Sequence, residues 1–104
     1  MKDCIRAFFE DQMPGVDDDT RNSIYADYRA MAAELYAELS AKRAENAALE
    51  VVDRLAHTLK GNALQVGDEP LFEVVQAWRA ALKEGDTELV KSLWPQIGSL
   101  VGAL

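Results

Sequence analysis

Histidine and cysteine each occur once among the 104 residues, and proline three times. A lone cysteine, Cys4, permits no intrachain disulfide and no cysteine-rich metal centre. It reads as a half-buried small hydrophobe in a reducing compartment. There is no Walker loop, no G-x-G-x-x-G run and no carboxylate trio, so the chain brings neither a nucleotide cradle nor a magnesium pocket. The run Asp17-Asp18-Asp19 lacks the interleaved ligands and turn glycine of a calcium loop. No metal and no cofactor is therefore expected. Basic side chains are outnumbered 11 to 18, giving a net charge of −7, which suits phosphate backbones poorly and argues against nucleic acid as a partner. Long apolar runs are missing too. The longest uncharged segment, Ser92–Leu104, contains Pro95 and is too short to span a bilayer. Met1–Phe9 has no apolar stretch of signal-peptide length. A cytoplasmic location without membrane insertion is expected.

Residues that favour strands are sparse, whereas alanine and leucine dominate a composition that is 49% hydrophobic. A chain of this length predicts one domain, residues 1–104. Asp3–Gln12 is a short amphipathic helix, with Ile5, Phe8 and Phe9 on one side, broken by Pro14-Gly15. Asp17 to Thr20 suit the mouth of a second helix. From about Thr20 to Ala44 a core-facing stripe is predicted at Ile24, Tyr28, Met31, Leu35 and Leu39, with Lys42 and Arg43 on the other faces. A break near Ala44–Asn46 leads to a helix ending near Val66. Its buried side is predicted as Ala48, Val52, Leu55, Leu59, Ala63 and Val66. Gly67 stops it, Asp68 caps the next helix, and Pro70 sits in the first turn. Leu71, Val74, Val75, Trp78, Ala81 and Leu82 form the following stripe, which ends at Gly85. Asp86 caps a last helix carrying Val90, Leu93, Ile97, Leu100 and Leu104, with Pro95 kinking it outward. The expected fold is all-α: an up-down-up-down four-helix bundle with a short extra N-terminal helix.

The chemistry concentrates in Leu55–Gly67, L-A-H-T-L-K-G-N-A-L-Q-V-G. Residues three and four apart share a helix face, so His57, Lys60 and Gly61 form one patch. It offers a nitrogen nucleophile, a cation beside it, and a gap where a side chain is missing. His57 falls opposite the buried side, together with Glu50, Asp53, Arg54 and Leu64. A mid-helix glycine costs about 1 kcal/mol relative to alanine, which calls for a steric reason beside an exposed histidine. Leu64 lies two turns beyond His57 and faces outward, as a docking residue would.

This stretch resembles the signature of histidine-containing phosphotransfer (HPt) domains, H-x-L-K-G followed by small residues and a second glycine. His57, Leu59, Lys60, Gly61 and Gly67 match it, and Asn62 departs from it where many relatives carry serine or alanine. The resemblance implies that His57 Nε2 takes a phosphoryl group from the aspartyl phosphate of one receiver domain and passes it to another. Lys60 would then pair with the phosphoryl oxygens, and Gly61 would give the receiver room. The receiver would supply the metal and the acidic pocket, so the chain would be a phosphocarrier and not an enzyme. In HPt domains polar residues of the neighbouring helix commonly approach the histidine. With the turn centred near Asp68, that implies Arg79 and Gln76, on a polar stripe with Lys83. Receiver domains are the expected partners, and a monomer and a free-standing protein are expected. Two alternatives stay open: the phosphotransfer segment of a chemotaxis-type histidine kinase, and a helical adaptor whose histidine is unused.

Overall fold

The computed structural model describes all 104 residues as five helices and no strands. They are α1 (Asp3–Gln12), α2 (Asp18–Ala44), α3 (Leu49–Gln65), α4 (Glu69–Glu84) and α5 (Thr87–Gly102). The last four form the bundle, α2 packing on α3 and α5, α3 on α4, and α4 on α5. No helix is long and apolar enough to cross a membrane.

Helix ends follow from local chemistry. The Asp17 side chain accepts from the Thr20 N–H at 2.8 Å and opens α2. Asp86 does the same for α5, accepting from the Leu89 N–H at 3.2 Å. Asn46, Gly67 and Gly85 each have positive φ where α2, α3 and α4 end. After α3 the Asp68 N–H reaches the Ala63 carbonyl at 2.9 Å, and the Gly67 N–H reaches Leu64 at 3.3 Å. These bonds satisfy carbonyls that the helix leaves open.

The core is centred on Leu39, Leu59, Leu71, Val75, Trp78 and Ile97, with Ile5 and Phe9 brought in by α1. Two of the predicted stripes shift. Met31 is 45% exposed, and Ala32 takes its place in the core; likewise Ala48 is exposed at the helix start while Ala56 is fully buried. Ala48 is exposed because it is the N-cap of α3 and precedes its first turn; on α2 the reason is helix spacing. Where backbones approach closely the contact takes a small side chain, and a longer one is displaced to the rim.

Two other expectations are corrected. Asp68 stands at the N-cap of α4, but its side chain makes no capping hydrogen bond. It is fully buried and accepts instead from Lys2 Nζ at 3.1 and 3.2 Å and from the Tyr28 hydroxyl at 2.5 Å. This network ties α1 and α2 to the α3–α4 turn. Burial, and then the hydrogen bond to Asp68, push the Tyr28 hydroxyl far above the ordinary tyrosine range. Arg43, assigned to a solvent face, is half-buried, with its guanidinium 4.4 Å from the Trp94 ring centre and 5.6 Å from that of Trp78. Trp94, outside the predicted α5 stripe, stacks on Tyr36 with ring centres 4.9 Å apart. Pro95 lies inside α5 and is exposed.

Candidate functional site

The middle of α3 presents His57 to solvent while Ala56 and Leu59, on either side of it, are buried. Helix geometry puts Asp53 one turn before His57, Lys60 and Gly61 one turn after, and Leu64 two turns after. The row His57, Gly61, Leu64 therefore runs along one exposed edge.

At Gly61 an added methyl group would meet no atom within 4 Å. Nothing inside the chain requires glycine at this position, so its helix cost has no internal compensation. Leu64, at 59%, is more exposed than any other large hydrophobic residue of the chain. Beyond it lies a shallow groove between α2 and α3, lined by Ile24, Asp27, Tyr28, Met31, Asn62, Gln65 and Val66. Asn62 faces this groove, its amide 2.8 Å from the Met31 sulfur, and so points away from the His57 edge. Met31, which the sequence suggested for the core, instead adds apolar surface to the groove rim.

The opposite flank of His57 is electropositive and faces α4. Lys60 is half-buried, its ammonium 5.7 Å from the Phe72 ring centre. Arg79 crosses from α4 to α3 and grips Asp53 with both arms of its guanidinium. Nε donates to Oδ1 at 2.8 Å, and Nη2 donates to Oδ2 at 3.2 Å. Lys83 stands 3.8 Å from the same carboxylate. The Arg79 hydrogen bond and charge, with lesser help from Lys83 and His57, hold the Asp53 carboxyl below the usual carboxylate range.

Both cross-helix pairs, Asp53–Arg79 and Lys60–Phe72, are symmetric about Val66. The turn is thus centred two residues earlier than the sequence suggested. The α4 level that faces His57 belongs to Val75, with exposed Gln76 next to it, and Arg79 lies a turn further on. In this structure Arg79 is engaged by Asp53, and Gln76 is exposed to solvent. Asp53 is the member of the site that sequence reasoning left without a role. An acid four residues before the histidine and a basic residue on the next helix were its visible signals.

A family model for the Hpt domain matches residues 23–104. The chain belongs to the Hpt-domain family. That family serves histidine phosphotransfer in phosphorelays; its members are phosphocarriers, not catalysts, and they interact with receiver domains. The match covers α3, α4, α5 and nearly all of α2, leaving α1 outside it. No curated protein and no solved structure matches the chain.

Proposed function

We propose that this Hpt domain relays phosphoryl groups between receiver domains on His57 Nε2, as a cytoplasmic monomer. The observation that carries this reading is the exposed edge of α3: a solvent-facing imidazole, a lysine one turn on, and unfilled space over Gly61. During transfer the imidazole lone pair forms the P–N bond as the aspartyl P–O bond breaks. The bonding pair of that P–O bond returns to the receiver's carboxylate, and Nδ1 keeps its proton. The receiver contributes the metal and the in-line geometry. The chain contributes a nucleophile and positive charge placed where the phosphoryl oxygens arrive.

Lys60 supplies that charge at the α4-facing side of His57, its ammonium 5.7 Å from the Phe72 ring centre. Gly61 removes the side chain that would otherwise project between His57 and an incoming receiver. Leu64 and Met31, with the groove between α2 and α3, give the receiver an apolar surface to dock on.

The test is incubation with a radiolabelled phospho-receiver. Label should pass to this chain and be lost in acid but kept in alkali, as a phosphohistidine behaves. A chain that binds the receiver yet takes no label would be an adaptor, and the carrier reading would fall.

A further inference from the structure

The Asp53–Arg79 pair lies one helical turn from His57, and its geometry fits more than a structural tie. A guanidinium fork matches phosphate as well as it matches carboxylate. The Arg79 fork is held on the row of α3 that carries His57, about 6 Å along the axis from the level of the imidazole. Its side chain is only 15% exposed, so it is ordered there in advance. The carboxylate that holds it has a second cation in reserve, since Lys83 stands 3.8 Å from Oδ2 and is itself 57% exposed. Were Arg79 to leave, Asp53 would not be left unpaired.

We propose that Asp53 is a positioning residue that parks Arg79 beside His57 in the unphosphorylated carrier and yields it to the phosphoryl group on transfer. Lys83 then takes over the charge of Asp53. This rests on the reading of His57 as phosphoacceptor and adds a control on how long the phosphoryl group stays. The carboxylate competes with the phosphoryl oxygens for Arg79, so it keeps phospho-His57 a ready donor. A carrier with too strong a cation grip would hold its cargo.

The experiment compares wild type, Asp53→Asn, Arg79→Gln and the double variant, all shown folded by circular dichroism. Each is equilibrated with one phospho-receiver, and the ratio of phosphorylated carrier to phosphorylated receiver is read. Asp53→Asn should raise that ratio about three- to tenfold, the scale of freeing one guanidinium from a part-exposed ion pair. Arg79→Gln should lower it. In the Arg79→Gln background most of the Asp53→Asn effect should vanish, because it acts through Arg79. The phosphohistidine ³¹P resonance should shift between wild type and Arg79→Gln. Asp53→Glu, which keeps the charge, should stay near wild type. An unchanged ratio in Asp53→Asn, or an equal rise with and without Arg79, overturns the inference while leaving His57 as acceptor. A wild-type chain that takes no label overturns both.

Discussion

Phe8 of α1 lies directly against the bare α-carbon of Gly67, where a Cβ would fall 2.4 Å from the Phe8 Cβ. Gly67 also has φ of +73°, so two independent constraints demand glycine at this turn. This contact and the Lys2–Asp68 pair fasten α1, which lies outside the family match, to the α3–α4 end of the bundle.

Gly67→Ala should therefore destabilise the protein by about 2–4 kcal/mol, the sum of backbone strain and a steric clash. In a Phe8→Gly background, which removes the Cβ that the new methyl group would strike, the same change should cost only about 1–2 kcal/mol, because the strain alone remains. Urea melts of the four proteins measure this coupling. Equal costs in both backgrounds would remove Phe8 from the explanation.

Gly61 is expected to behave in the opposite way. Its methyl position is empty space within a regular helix, so Gly61→Ala should stabilise the fold by up to about 1 kcal/mol. Gly61→Gln should fold as well and yet accept phosphate slowly from a receiver, while a small phosphodonor still labels it. Wild-type transfer from the receiver to Gly61→Gln would show that docking clearance is not the reason for the glycine.

Lys60→Ala should slow transfer from the receiver about 10- to 100-fold, since a charge-assisted hydrogen bond contributes about 1.5–3 kcal/mol. Rapid-quench rates at low and moderate salt provide the check. The rate should also lose part of its salt dependence.

Alkaline pH probes the buried network at the α3–α4 turn. Tyr28 is held neutral well above the ordinary value of 10.0, so the folded state retains a proton that the unfolded state releases. Its contribution is complete below about pH 10 and is lost as the pH climbs further, through the raised folded-state value. Between pH 9 and 11.5, Tm of the wild type should fall more steeply than that of Tyr28→Phe. Parallel slopes would mean that Tyr28 does not control the alkaline transition.

The helices were largely legible because apolar residues recur at helical spacing and Asp17, Asn46, Gly67, Gly85 and Asp86 punctuate them. What misled was size. On α2, Met31 and Ala32 both fit a three-or-four spacing after Tyr28, and the larger apolar side chain was assigned inward. Close packing between helices selected the alanine instead. Asp68 was read from its position as a cap, but a cap and a buried acceptor look alike in sequence, and its partners Lys2 and Tyr28 are far away along the chain. The same holds for Asp53 and Arg79, whose meeting depends on the centre of the turn. An error of two residues there moved Arg79 to the level of His57. Motif residues on a single helix needed no such register, which is why the His57–Leu64 edge could be drawn from the sequence.

The position of the phosphoryl group decides whether His57 is the acceptor. Wild type and His57→Gln should be mixed with the same phospho-receiver and followed by ³¹P NMR and by mass spectrometry of peptides prepared in alkali. Wild type should gain one phosphoryl group on the peptide containing His57. His57→Gln should gain none while keeping the helical signal and Tm of the parent, because the side chain is exposed. Phosphoryl transfer to His57→Gln, or its unfolding, would contradict the assignment of this histidine as the acceptor.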